Sequence, residues 1–185
     1  MLLSKDQMRS FEKLHDGLAR KMHEHYTDHC GVVADVDIAF VDQTTFGEII
    51  TSLGKLTTTY TFTMSPLGPV AISYAPSVSY AFIESTTGSK PDGLPTKSER
   101  EVLHEVFKKD LALIEEMWAP ITKVKGEHAE FETDPESLTG VLEKPTSTAL
   151  IAFEIALPNA SGLIEISYPM HETLETIIPK LEVPE

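Results

Sequence analysis

Residues Met64–Ser89, MSPLGPVAISYAPSVSYAFIESTTGS, decide the fold. They read as a strand end, a Pro/Gly turn (Ser65 to Pro69), a second strand (Val70 to Tyr74), a helix opened by Pro76 and running to Glu84, and a polar loop. The pattern returns between Ala149 and Ile178: strand, turn (Pro158 to Gly162), strand (Leu163 to Tyr168), then a Pro-started helix near Met170 to Ile178 that ends at Pro179. Ile72-Ser73-Tyr74 ahead of Pro76 is matched by Ile166-Ser167-Tyr168 ahead of Pro169. A hairpin feeding a helix, used twice, predicts a duplicated αββα plan.

Working outward, each copy is preceded by a long helix. Ser4 caps the first (Ser4 to His29), with Gln7 completing a capping box, and Gly31 stops it. Its apolar stripe is Met8, Phe11, Leu14, Leu18 and Met22; Lys5, Glu12, Lys13, Asp16 and Arg20 form the opposite face. Gly17 is expected to mark a close approach. Thr96 caps the second helix with Glu99, and Val102, Leu103, Val106, Phe107, Leu111, Ile114 and Met117 or Trp118 make its apolar face up to Pro120. Between them, Val32 to Val41 alternates, with Val36, Ile38 and Phe40 on one face and Asp35, Asp37 and Ala39 on the other. Thr44 to Leu53 is expected as a short helix ended by Gly54, and Thr57 to Met64 as a strand. A strand near Ile121 to Phe131 and a polar turn at Thr133 to Ser137 precede the second hairpin. Ser85 to Pro95 is the linker. The expected fold is α/β: one domain over 1–185, two pseudo-repeats of about 1–90 and 95–181, and a central mixed sheet with long helices on both faces.

The 185 residues carry a net charge of −14, 41% apolar residues and one cysteine, Cys30. A charge this acidic argues against non-specific binding to nucleic acid or anionic membranes, which needs basic patches. With one cysteine there is no intrachain disulfide. No apolar run approaches membrane-spanning length, and the expected location is cytoplasmic.

The densest set of potential ligands is His23, Glu24, His25, Asp28, His29 and Cys30. His25 and His29 share a helix face at the spacing of a zinc pair, but the run lacks the HExxH pattern, since Thr27 stands at the second histidine's place. It is expected to be a solvated, fraying helix end, with no metal and no cofactor. Gly47 to Lys55 (GEIITSLGK) departs from a phosphate loop: six residues separate its glycines, and Leu56 occupies the magnesium-ligating place. No GxSxG is present, Cys30 has no organised base, and Glu101, Glu105, Glu115 and Glu116 read as the wet face of the second helix.

Several stretches together resemble one family. VDQTTFGEIITSL (Val41 to Leu53), SPLGPVAISYAPSVSYAFIE (Ser65 to Glu84), EEMWAP (Glu115 to Pro120), ETDPESLTGVLEKP (Glu132 to Pro145), ISYPMHETLETI (Ile166 to Ile177) and the first helix follow, in order, the middle domain of the flagellar motor switch FliM family. The resemblance implies a pseudo-two-fold α/β/α CheC-like fold and a non-enzymatic place in the switch ring. It implies contacts with FliG and neighbouring FliM copies, with FliN and CheY engaged by regions beyond this stretch, and a peripheral position at the flagellar basal body, with no small-molecule substrate. The stretch is expected to be an excised middle domain. Related CheC-type phosphatases act on phosphorylated CheY through a helix-borne Glu-x-x-Asn. Here Glu12 is followed by His15 and Glu105 by Lys108, and the sole asparagine, Asn159, lies in a turn, so phosphatase activity is not expected. The family's Gly-Gly-x-Gly loop for FliG corresponds to Thr87, Gly88, Ser89, Lys90 and Pro91. Only Gly88 is retained, and Ser85, Thr86 and Thr87 replace apolar residues, so a rebuilt contact or a diverged FliM-like paralogue with another partner remains open.

Overall fold

The computed structural model describes residues 1–182 of the chain. In order, the elements are α1 (Lys5–Cys30), β1 (Asp35–Thr45), α2 (Phe46–Ser52), β2 (Thr58–Ser65), β3 (Gly68–Tyr74), α3 (Pro76–Thr87), α4 (Lys97–Trp118), β4 (Lys125–Glu132), β5 (Ser147–Leu157), β6 (Ala160–Pro169) and α5 (Glu172–Ile177). Short 3-10 helices cover Pro135–Gly140 and Ile178–Lys180. The six strands form one sheet in the order β1-β5-β6-β3-β2-β4. Every pairing is antiparallel, so the sheet is not the expected mixed one. The two connections between strands adjacent both in sequence and in the sheet, β2 to β3 and β5 to β6, are tight hairpins, which make antiparallel neighbours.

The two capping boxes form as the sequence predicts. Ser4 and Gln7 exchange hydrogen bonds at the start of α1, and Thr96 and Glu99 do so at the start of α4. Gly31 closes α1 in the left-handed conformation at φ 70°. These caps satisfy amide and carbonyl groups that a helix end otherwise leaves bare.

One face of the sheet carries aligned apolar rows. Val41, Ile151, Ile166, Ile72, Tyr60 and Phe131 are cross-strand neighbours through all six strands. On this face α1, α3, α4 and α5 pack in a single core that includes Phe11, Met22, Phe82, Phe107, Trp118 and Leu174. The opposite face is made of smaller and more polar residues. The row Asp42, Leu150, Ser167, Ala71, Thr61 and Glu130 runs parallel to Phe40, Ala152, Glu165, Ser73, Thr59 and Glu132. The middle of this face is buried too, down to 0% exposure at Ala152. α2 and the Pro135–Gly140 helix meet in a second, smaller core of Phe46, Ile50 and Leu138. As the helical elements left out of the main core, they are the ones available to cover this side. The long helices therefore lie on one face only.

Several local readings are corrected. A bulge between Ile38 and Phe40 shifts the register of β1, so Phe40 leaves the face of Val36 and Ile38 and is 42% exposed, while Val41 turns inward. A bulge reverses side-chain alternation beyond it. Gly17 marks no close approach: a Cβ there would meet only the Arg20 guanidinium, at 3.7 Å. Gly162 does mark one. It lies within β6, not in a turn, and a Cβ would come within 2.5 Å of Ser77 Oγ on α3. The Pro/Gly turn is thus reduced to Pro158 and Asn159. Pro169 ends β6 and does not start the last helix, which begins at Glu172. α2 ends at Ser52 and is capped by Leu53 in extended conformation, ahead of Gly54. The polar turn after β4 is the 3-10 helix Pro135–Gly140.

Candidate functional site

The loop Thr87–Pro91 grows directly out of α3, which runs to Thr87, past the expected Glu84. Gly88 is its left-handed cap at φ 79°, with its amide bonded to Glu84 O at 2.8 Å. Nothing lies within 4 Å of where its Cβ would be. Thr87 Oγ1 lies 3.0 Å from Ile83 O and accepts from Ser89 N at 3.2 Å, which fixes the first turn of the loop. Further on, Tyr80 on α3 donates to Gly93 O at 2.7 Å. Thr87, Gly88, Ser89 and Lys90 are exposed, whereas Pro91 is buried. Of the five residues that the sequence singles out, four face solvent and Pro91 does not.

The same end of the molecule holds the C-terminus of α1 and the β5–β6 turn. His29 Nε2 donates to Phe82 O at 2.8 Å, tying α1 to α3. Beside this contact an open cavity of about 440 Å³ is lined by Cys30, Val32, Ala81, Ser85, Leu157 and Pro158. Burial pushes the Cys30 thiol above its ordinary range, which disfavours the nucleophilic thiolate. Val33 and Leu94 are exposed at 60% and 64%.

The histidine-rich run stays helical through Cys30 and does not fray; Glu24 and Asp28 face solvent as expected, but the three histidines are half-buried or buried. His23 Nδ1 donates to Ala34 O at 2.5 Å. His25 Nδ1 donates to Asp110 Oδ1 at 2.9 Å, and both residues are buried. Each imidazole is thus directed to a separate protein partner. No group of three or more potential metal-ligating side chains occurs among the described residues. Gly47 to Lys55 spans α2 and the turn after it.

The Asp110 cluster is what sequence reasoning missed. Asp110 Oδ2 accepts from Tyr26 at 2.7 Å and from Tyr74 at 2.6 Å, so one carboxylate joins α1, α4 and the end of β3. Burial, reinforced by the carboxylate, holds both phenols well above their ordinary range. A second chain of polar groups crosses the core at His15. Trp118 Nε1 donates to Tyr168 Oη at 3.3 Å, Tyr168 donates to His15 Nε2 at 3.0 Å, and His15 Nδ1 donates to Phe11 O at 2.8 Å. Burial lowers the His15 pKa to about 4. The one sequence signal was Asp110 falling on the apolar stripe of α4, seven residues after Leu103.

The two places where the CheC-type amide would stand are occupied differently. His15 is fully enclosed, and Lys108 sits on the surface, 3.2 Å from Glu105. Neither side chain carries an amide. Glu115, read as part of a wet face, instead accepts the Gly126 amide at 3.0 Å and joins α4 to β4.

A six-stranded antiparallel sheet with two hairpins meeting at its centre and long helices on one face is the fold of CheC-like proteins. A CheC-like superfamily protein from Shewanella shares it at a TM-score of 0.55 and 10% identity, over 90% of this chain and 99% of that one. The middle domain of FliM from H. pylori superposes far more closely, with a TM-score of 0.85 over 97% of this chain and all of that one, at 23% identity. The FliM chain of an H. pylori FliG–FliM complex gives 0.83 at 23% identity, over 96% and 100%. This chain belongs to the flagellar motor switch protein FliM family, whose sequence model matches residues 4–185. FliM of Bacillus subtilis is 29% identical over 187 aligned positions, covering 97% of this chain and 55% of the relative. The chain spans about half the length of the curated relatives it matches. No described helix is long and apolar enough to cross a membrane.

Proposed function

We propose that this chain is the docking domain of a flagellar motor switch component, with no catalytic role. In this reading it sits in the switch ring at the cytoplasmic side of the basal body and contacts FliG through Thr87, Gly88, Ser89 and Lys90, with Pro91 holding the loop in place. It lies beside further copies of itself, while FliN and CheY are engaged by regions outside this stretch. Membership of the FliM family across residues 4–185 carries the reading, and a FliM of the same fold has been crystallised with FliG. We also propose that residues 1–185 are one domain of two pseudo-repeats, about 1–90 and 95–181. In support, exchanging β1 with β4, β2 with β5 and β3 with β6 maps the strand order onto itself reversed.

The test is calorimetric titration of this protein with FliG from the same organism. Ser89→Trp is the informative variant, because Ser89 is exposed. Gly88 is a poorer choice, since any other residue at its left-handed φ costs about 1 kcal/mol. The expected result is FliG binding that Ser89→Trp weakens at least about tenfold, or ~1.4 kcal/mol, with an unchanged melting temperature. Unchanged affinity removes the loop from the contact. Absence of any FliG binding favours a paralogue with another partner. Hydrolysis of phosphorylated CheY that depends on Glu12 or Glu105 would overturn the non-catalytic reading.

A further inference from the structure

Two hollows, of about 600 and 480 Å³, adjoin on the helical side of the molecule and share Ile121, Lys180 and Leu181. Together they make one groove between α1 and the chain that follows β6. Its floor is apolar: Leu14, Ile121, Ile177 and Leu181, with Ile121 40% exposed. The α1 wall is low, because Gly17 has no side chain and only the Arg20 guanidinium lies within 4 Å of where a Cβ would be. Lys13, Arg20 and Lys180 stand around this floor, all exposed, and none makes an ion pair within 4 Å among the described residues. Glu172 and Glu182 are the carboxylates that line it. In a chain of net charge −14, three unpaired cations around an apolar floor reverse the local sign.

The geometry points to a docking groove for an acidic amphipathic helix from a protein partner. Such a helix lays apolar side chains, spaced at i, i+3, i+4 and i+7, along a hydrophobic groove. Carboxylates on its flanks would meet Lys13, Arg20 and Lys180, which supply complementarity and speed encounter. An anionic bilayer fits less well, since the surface is concave and the rest of the chain is strongly acidic. The groove is separate from the loop at Gly88. On α1, Gly17 lies in the middle, at the groove, and Cys30 lies at the C-terminal end, beside Ser85, about 20 Å apart by helical rise, so both surfaces can be occupied at once. The inference therefore stands whether or not the loop binds FliG.

The probe is a fluorescent, leucine-striped helical peptide of about five turns with glutamates on both flanks, and the same peptide with lysines in their place. Anisotropy with the full chain should show binding of the glutamate peptide, weakening with salt, and little binding of the lysine peptide. Reversing the rim (Lys13→Glu, Arg20→Glu, Lys180→Glu) should invert that preference by at least about tenfold in each direction. Ile121→Asp should weaken glutamate-peptide binding, and Ser89→Trp should leave it unchanged. Circular dichroism confirms that each variant is folded. A preference that survives rim reversal, or indifference to Ile121→Asp, overturns the proposal. So does binding confined to phosphatidylserine vesicles, or self-association that rim reversal abolishes, which would assign the groove to a second copy.

Discussion

His25 on α1 and Asp110 on α4 face each other across 2.9 Å with 7% and 1% of their side chains exposed, and the same carboxylate receives the hydroxyls of Tyr26 and Tyr74. A buried carboxylate is tolerable only when its lone pairs are met by donors, and removing one partner strands the rest. Asp110→Ala leaves three buried donors without an acceptor and should cost about 3 kcal/mol. Tyr74→Phe deletes one hydroxyl, keeps the ring in the core, and should cost about 1 kcal/mol. Urea denaturation of both variants gives the comparison. An Asp110→Ala loss no greater than that of Tyr74→Phe would show that the cluster is not cooperative.

His15 makes stability depend on pH. Its folded pKa of about 4 lies below its ordinary value of 6.5 because burial penalises the imidazolium. Between those values the unfolded chain binds the extra proton and the folded chain does not. The contribution is therefore complete above about pH 6.5 and is lost as pH falls toward 4. The span of the shift corresponds to about 3 kcal/mol. Unfolding free energy measured from pH 7 to pH 4 should fall accordingly, and His15→Gln should flatten that part of the profile while lowering stability at neutral pH.

Glu165 has the opposite sign. It sits in the polar row of the sheet with Oε2 lacking a protein hydrogen-bond partner, and burial raises its pKa. A carboxylic acid with a raised folded pKa weakens the fold as pH climbs above its unfolded value. Glu165→Gln should stabilise the protein at pH 7 by up to about 1 kcal/mol, since partial exposure screens the charge. The gain should vanish near pH 4. Thermal melts at the two pH values decide it.

Gly162 fixes how closely β6 approaches α3. A Cβ there would lie 2.5 Å from Ser77 Oγ and 2.9 Å from Val78 Cγ2. Ser77 also donates to Ser161 O at 2.7 Å, so its hydroxyl is not free to swing aside without loss. Gly162→Ala should cost about 1–3 kcal/mol by overpacking. Gly17→Ala, whose Cβ would make only an ordinary contact with the Arg20 guanidinium at 3.7 Å, should stabilise by a few tenths of a kcal/mol or more through helix propensity. Chemical denaturation of the pair checks both signs.

Helix starts were legible because Ser4 with Gln7 and Thr96 with Glu99 encode local hydrogen bonds that need no tertiary partner. The two hairpins were legible for the same reason, although the second turn, read as Pro158 to Gly162, closes in Pro158 and Asn159 alone. The bulge before Phe40 was not, since alternation in sequence carries no trace of an inserted residue until the partner strand sets the register. His15, His25 and Asp110 were misread or passed over because polar residues on a helix read as solvent-facing. Their partners Tyr168 and Tyr74 lie far off along the chain, and only the folded chain brings them within hydrogen-bonding distance. In the candidate loop, Gly88 was legible as a turn residue. The burial of Pro91 depends on packing that no local pattern records.

The strand pairings have a mechanical consequence. Among the described residues, β1 finds its only partner in β5 and β4 finds its only partner in β2, so each side of the chain clasps a hairpin that the other side supplies. A protease nick at the exposed Ser89-Lys90 bond would sever the backbone without freeing either piece. Neither piece alone would retain a mate for its outermost strand, and tension applied to one edge of the sheet would be carried across the whole of it.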